Sequence, residues 1–315
     1  MTGFEAAGRH VPGSGWLVGI DTATRRAAIA IGTGRGTPRA WRSWEAGYRH
    51  GEELLAVLDE LMREAGIGLS DVGAIVSGIG PGAFTGLRVG LATAKGLAYG
   101  LHVPLVGIAS TRGLALAALA SGTLPGDAGS PARHAPAWDS REGPATVAVA
   151  MPAGPHDRYL ARYRVTSGAG DIGRRGAPGR GDIDRRGAPG RGDVGRRGEA
   201  ARDARGPQGG EGRALELEPI DDPVLVPGGE AIEPLLEDAT LVAVDLAGRP
   251  GVSDDALVLG RAAQEGLGAA LLAAGREALD RGDVDDVAAL VPAYVTLPRG
   301  ITAQTGTIEW SRDLQ

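Results

Sequence analysis

Cysteine is absent from this 315-residue chain. That excludes disulfides, thiolate nucleophiles and thiolate-bound metal, and it suits a reducing compartment. Aromatic residues are scarce, at 4% with only two Phe, so any core must be assembled from Val, Leu, Ile and Ala. No apolar run is long enough to span a bilayer, and Met1 to Ser14 has no apolar centre of the signal-peptide kind. Soluble and cytoplasmic is the expectation. The formal net charge of −6 argues against a general nucleic-acid binder. The five histidines (His10, His50, His102, His134, His156) form no His-x-x-x-His and no His-Glu-x-x-His pair. No zinc or iron site of ordinary spacing can be drawn, and no cofactor or metal is expected.

Glycine, by contrast, is abundant: 53 residues, far above ordinary usage. An internal repeat explains part of the excess. Asp171-Ile172-Gly173-Arg174-Arg175-Gly176-Ala177-Pro178-Gly179-Arg180-Gly181 recurs at 182–192 and begins again at 193–198. With almost no apolar residue to bury, such a segment cannot offset its ordering entropy. Residues 168–213 are therefore expected to be a disordered insertion in a surface loop. It holds more Arg than Asp plus Glu, which would allow weak RNA contact, but a drifted low-complexity expansion is the simpler reading.

The remainder reads as alternating strands and helices. A disordered leader (1–15) is followed by three strands at Trp16–Ile20, Ala27–Ile31 and Ala40–Trp44. A helix over about 51–65 carries Leu54, Leu55, Leu58, Leu61 and Met62, and Gly66 and Gly68 end it. Strands at Ala74–Ile79 and Leu105–Ile108 flank a second helix. Ser110 or Thr111 is placed to cap a third, Leu114–Ala120. Beyond a Pro/Gly/Ala-rich loop (121–145), strands are expected at Thr146–Met151, Tyr159–Thr166, Leu215–Glu218, Pro223–Pro227 and Leu241–Val244. Helices are expected at Glu230–Leu236 and Asp254–Leu279, the latter with Gly266 and Gly268 as candidate breaks, and 292–299 reads as extended. Three strands in hairpin succession followed by βα crossovers is the pattern of the ribonuclease H-like domain, which is doubled in the actin, Hsp70 and sugar-kinase superfamily. The fold class is thus α/β with two such subdomains, 16–112 and 113–300, and a tail at 301–315.

The most distinctive stretch is Gly80-Pro81-Gly82-Ala83-Phe84-Thr85-Gly86-Leu87-Arg88-Val89-Gly90, continuing to Gly100. It joins a tight turn to a helix on which Gly86, Gly90, Ala94 and Ala98 recur every four residues, so they share one face. Four small residues let another backbone approach closely, either from this chain or from a partner. The turn could receive an anion at the helix N-terminus, but no Gly-Lys-Ser/Thr follows, so it is not a P-loop. Lys95 lies too far along the helix to cap phosphates. The favoured reading is a turn that positions a helix. Asp21-Thr22-Ala23-Thr24 ends the first strand before a turn. In actin-like ATPases that position carries a carboxylate near magnesium and hydroxyls near phosphate, which makes Asp21, Thr22 and Thr24 weak nucleotide-site candidates; a polar strand end has equal weight. His50 and Glu52 form a His-x-Glu pair, read as a helix entry rather than an acid–base pair.

Together, Ile20–Thr24, His50-Gly51-Glu52-Glu53-Leu54-Leu55, Gly78–Ala98 and Pro104–Ser110 resemble the TsaB (YeaZ) family, closely over about 16–112. Asp157-Arg158-Tyr159 and Pro292–Arg299 look like remnants of its second-domain patterns, and the repeat insertion is foreign to it. The resemblance implies a non-catalytic subunit for making threonylcarbamoyladenosine beside the anticodon of tRNA. It further implies two actin-like subdomains and pairing with the catalytic subunit TsaD through the helices at 51–65 and 84–100. TsaE, an ATPase, joins that pair, tRNA is met only indirectly, and no membrane is involved. Carried onto this chain, the interface candidates are Leu54, Leu58, Leu61, Gly86, Arg88, Gly90, Ala94 and Leu97. Two readings compete with this: an actin-like ATPase, kinase or peptidase-like enzyme acting alone, and a homodimer through the same helix face.

Overall fold

The computed structural model describes residues 15–46, 50–121, 145–167 and 215–293. The expected leader apart from Gly15, the insertion at 168–213, nearly all of the loop at 121–145 and the tail at 301–315 lie outside them.

The first sheet contains β1 (Trp16–Asp21), β2 (Arg26–Thr33), β3 (Pro38–Glu45), β4 (Val72–Gly78) and β5 (Leu105–Ile108), in the order β3-β2-β1-β4-β5. β1, β2 and β3 pair antiparallel; β1, β4 and β5 pair parallel. Two helices make the crossovers, α1 (His50–Ala65) and α2 (Phe84–Leu101), and α3 (Ser110–Ala120) follows β5. The second sheet contains β6 (Ala145–Ala153), β7 (Asp157–Ser167), β8 (Leu215–Pro219), β9 (Val224–Val226) and β10 (Thr240–Ala243). Its order is β10-β6-β7-β8, with β9 also paired to β7. The β6/β7 hairpin is antiparallel and β10 runs parallel to β6, so the second sheet repeats the arrangement of the first four strands. Both sheets carry the ribonuclease H-like order.

Strand alternation explains how the first sheet is covered on both faces. Val18 and Ile20 of β1, Ile29 and Ile31 of β2 and Ile75 of β4 point one way, into a core with Leu54, Leu58 and Leu61 of α1 and Ala94 and Ala98 of α2. Each such aliphatic side chain, fully buried, contributes roughly 1.5–3 kcal/mol. The opposite face carries smaller residues, Gly19, Ala30 and Ala74, and it receives the long helix α5 (Asp254–Arg281). α5 is unbroken at Gly266 and Gly268, both buried. Its glycines are points of close approach: a Cβ on Gly268 would lie 2.9 Å from Ala30 Cβ, and one on Gly275 would lie 2.2 Å from a Val76 methyl. Further toward its N-terminus, a Cβ on Gly260 would lie 1.8 Å from the Ala243 carbonyl oxygen of β10. One helix thus packs on strands of both sheets.

Two expected helix starts move. The N-cap of α3 is Ala109 and makes no side-chain cap, because the hydroxyls of Ser110 and Thr111 turn elsewhere: Ser110 to Asp21, as described below, and Thr111 to the Tyr163 hydroxyl at 2.7 Å. The helix expected at Glu230–Leu236 is a single turn, α4 (Glu233–Leu236). Pro234 has no N–H and belongs in a first helical turn, which delays the start. The segment after α5 returns along the free side of β5. Asp285 bridges Leu105 and accepts from the Gly107 N–H at 2.7 Å, and Ala293 N–H donates to the Ile79 carbonyl at 2.7 Å. Lys95 of α2 clamps this strap, its Nζ donating to the Ala288 and Leu290 carbonyls at 3.1 and 3.0 Å. In the second sheet, Arg158 is almost wholly buried and ties two loops to β7, donating to the Pro250 and Glu230 carbonyls.

Candidate functional site

The end of β1 is polar and closed. Asp21 is fully buried, with Oδ2 accepting from the Ser110 hydroxyl at 2.6 Å and Oδ1 from the Ala23 N–H at 2.7 Å. The Ser110 hydroxyl accepts in turn from the Gly80 N–H at 3.1 Å. A Cβ at Gly78 would fall 1.8 Å from Asp21 Oδ2, so the carboxyl is enclosed by β4 and the start of α3. Thr22 and Thr24 are likewise buried. Thr22 donates to the Gly86 carbonyl at 2.7 Å, and Thr24 donates to the Arg26 carbonyl at 2.7 Å while accepting from Gln264 Nε2 at 3.2 Å. All three weak nucleotide-site candidates therefore direct their polar atoms inside the protein. Those bonds are the geometry of a polar strand end. Ser110 and Gln264, which complete it, have no motif of their own and only the fold brings them here.

Burial pushes the Asp21 carboxyl up from its ordinary value, against the opposite pull of Ser110 and then of the Ala23 N–H. A carboxyl whose pKa is higher folded than unfolded stabilises the fold fully only below the unfolded value, near 3.8, and that stability is lost as pH rises through the folded value. Asp21→Asn keeps one acceptor for the Ala23 N–H and offers Ser110 an amide, with no charge to bury. It is expected to melt above the parent at pH 8, with the advantage shrinking as pH falls toward 4. Thermal melts across that range check it, and a parent favoured more at pH 8 than at pH 4 would reverse the sign.

The turn at 80–83 presses against the same strand end. The Gly80–Pro81 peptide is cis and Gly80 has a φ of +98°, a backbone conformation that favours glycine. A Cβ on Gly82 would lie 2.2 Å from the Ala23 carbonyl, to which the Ala83 N–H donates at 2.8 Å. This contact sets the entry of α2.

Most of the interface candidates are buried within this chain. Gly86, Gly90 and Ala94 face inward, with a Gly90 Cβ falling 2.1 Å from Thr22 Oγ1. The small-residue face thus meets this chain's own β1–β2 turn and sheet, not a partner helix. Leu54, Leu58 and Leu61 are core residues, and Leu97 is half-buried against the same core. Of the eight, only Arg88 is exposed, and its guanidinium lies 3.8 Å over the Phe84 ring. What α1 and α2 present outward is a different set: Leu55 (59% exposed), Ala56, Ala92, Gly96 and Tyr99 (67% exposed). A Cβ at Gly96 or Gly100 would meet nothing within 4 Å, so a second small-residue stripe, Ala92–Gly96–Gly100, lies on the outer side. Among the described residues, no group of three His, Cys, Asp or Glu is placed to hold a metal ion, and no helix is long and apolar enough to cross a membrane.

Duplicated β3-β2-β1-β4 topology, with helices on the first sheet and one helix spanning both, defines the ribonuclease H-like, actin-type class. YeaZ from Pseudomonas aeruginosa superposes with a TM-score of 0.52 at 20% identity, over 89% of this chain and 99% of that one. The family model described as TsaD, tRNA N6-adenosine threonylcarbamoyltransferase, matches residues 44–149. The tRNA threonylcarbamoyladenosine biosynthesis protein TsaB of Haemophilus influenzae is 36% identical over 102 residues, 32% of this chain and 42% of that protein. The Escherichia coli TsaB is 35% identical over 95 residues, 30% of this chain and 40% of that protein. Within the actin-type class, then, part of the chain is similar in sequence to TsaB proteins. Its sequence match spans less than half the length of these curated relatives.

Proposed function

We propose that this chain is a non-catalytic subunit of the assembly that makes threonylcarbamoyladenosine on tRNA, and that it docks a TsaD-like catalytic subunit through the outer faces of α1 and α2. A TsaE-like ATPase joins the pair, and tRNA is met through the complex. The observation that carries this reading is the coincidence of two facts. The TsaD family model matches residues 44–149, which include α1 and α2, and those helices display Leu55, Ala56, Ala92, Gly96 and Tyr99 while their inner faces are occupied by the fold. The inward-turned Asp21, Thr22 and Thr24 support a scaffold over a solitary ATPase. The chain is read as two subdomains, 16–112 and 113–300, with the docking helices in the first.

The test is reconstitution. The purified chain alone should transfer no threonylcarbamoyl group to tRNA; with TsaD-like and TsaE-like partners, ATP and threonylcarbamoyl-adenylate, transfer should appear. Leu55→Asp combined with Ala92→Asp should abolish co-purification with the TsaD-like subunit while leaving the melting temperature within about 2 °C, since exposed substitutions change stability little. Transfer or ATP turnover by the isolated chain would instead favour an enzyme acting alone, and undiminished co-purification of the double variant would remove α1 and α2 from the interface.

A further inference from the structure

Four consecutive residues, Thr22 to Arg25, are tied on two opposite sides. On one side lies the start of α2: Thr22 Oγ1 donates to the Gly86 carbonyl at 2.7 Å and the Ala23 carbonyl accepts the Ala83 N–H at 2.8 Å. On the other lie β10 and α5. Gln264 Nε2, on a residue 6% exposed, donates to Thr24 Oγ1 at 3.2 Å and to Asp245 Oδ1 at 3.1 Å, and Asp245 Oδ2 accepts the Arg25 N–H at 2.9 Å. Asp245 lies just beyond β10 and is one of three non-glycine residues with positive φ among the described residues, at +55°. Its hydrogen bonds to two other segments hold it in that sparsely populated conformation. The anchoring of Asp21 by Ser110 and Ala23 fixes the near end of the turn.

We infer that the 22–25 turn is a positioning element through which the end of β10 and the buried amide of Gln264 set the entry of α2. A four-residue turn held at every residue has no slack: a shift of Asp245 or Gln264 moves Thr24 and Arg25, and the adjoining Thr22 and Ala23 carry that shift to Gly86 and Ala83. Close-packed neighbours transmit displacement in place of absorbing it. The second sheet therefore controls how firmly the first turn of α2 is held. That this bears on partner docking rests on the function proposed above; the coupling itself does not, and it is measured on the isolated chain.

Gln264→Glu sets a second carboxylate against Asp245 in a nearly dry site. Adding Asp245→Asn to it restores a donor and an acceptor in exchanged positions. The new amide N–H at position 245 can face the new carboxylate at position 264, the amide carbonyl oxygen still accepts from Arg25, and the Thr24 hydroxyl can turn from the Arg26 carbonyl to donate to that carboxylate. Hydrogen–deuterium exchange on the full chain is expected to show Ala83 and Leu87–Leu91 exchanging at least about tenfold faster in Gln264→Glu, and returning to within about twofold of the parent in the double variant. If Gln264→Glu does not fold, Gln264→Met, which removes the amide without adding charge, serves for the same measurement. Parent-like exchange at Ala83 and Leu87–Leu91 in a folded Gln264 variant, or a double variant no slower than the single, would overturn the inference. Exchange is read with no partner present, so failure here is distinct from failure of the docking proposal.

Discussion

Gly90→Ala is expected to destabilise the isolated chain by about 3 kcal/mol, lowering its melting temperature by roughly 6–12 °C. The new Cβ would sit 2.1 Å from Thr22 Oγ1, well inside contact distance. Thr22 cannot rotate away without penalty, because it is 1% exposed and its hydroxyl has the Gly86 carbonyl as its acceptor. Either the helix lifts off the sheet or the buried Thr22 hydroxyl loses its acceptor, and each costs on the order of 1–3 kcal/mol. The double variant Gly90→Ala with Thr22→Ala removes the clashing oxygen and leaves Cβ atoms about 3.2 Å apart. It should regain more than half of the loss. Chemical denaturation of parent, single and double variants measures this, and a Gly90→Ala chain as stable as its parent would refute the inward placement of that face. Loss of a binding partner in a Gly90 variant would accordingly report damage to the fold, not to an interface.

That consequence marks where the sequence can be read and where it cannot. Strand alternation and the spacing of Leu54, Leu58, Leu61 and Met62 are local signals, and they lead to strands and helices whose existence and order the structure bears out, including the β-β-β-α-β-α-β-α run of the first sheet. The inward face of α2 is also legible as a face, through the four-residue recurrence of Gly86, Gly90, Ala94 and Ala98. What it touches is not, because a small-residue stripe specifies close approach without naming the neighbour. A finer signal exists: Leu87 and Leu91 adjoin the Gly86/Gly90 stripe and are buried, whereas Arg88 lies beside Ala92 and is exposed. Large apolar neighbours mark the side that faces the core. Leu55 follows similarly, since it sits one residue off the Leu54/Leu58/Leu61 row and so about 100° around the helix. The roles of Ser110, Asp245 and Gln264 depend on contacts to Asp21, Arg25 and Thr24 that are 89, 220 and 240 positions away, which no local pattern encodes. The unbroken course of α5 through Gly266 and Gly268 has a related cause. Each glycine weakens a helix by about 1 kcal/mol, yet here they are buried in a helix packed on the strands of both sheets, and tertiary packing outweighs that intrinsic cost.

If the outer stripe of α2 receives a partner, Gly96→Gln should separate docking from folding cleanly. Gly96 is exposed in a helix interior, and a Cβ there would meet no heavy atom within 4 Å, so glutamine adds no clash within the chain. Exchanging glycine for a good helix former there is expected to raise the stability of the isolated chain by about 0.5–1 kcal/mol. Against a closely packed partner helix the same side chain is an overpacking change, worth about 2 kcal/mol, or roughly a 30-fold rise in Kd for the TsaD-like subunit. Stability and affinity therefore move in opposite directions, an outcome that damage to the fold cannot produce. Arg261→Gln, on the exposed side of α5, supplies the comparison and should leave both quantities close to the parent values. Isothermal titration of the three chains with the catalytic partner, beside their thermal melts, makes the measurement. Equal affinities for the parent and Gly96→Gln would mean that no partner backbone comes close to this stripe. The proposed docking face would then have to shift toward Leu55 on α1, a larger outward side chain than those of the Ala92–Gly96–Gly100 stripe, over which a helix would cross at a greater distance.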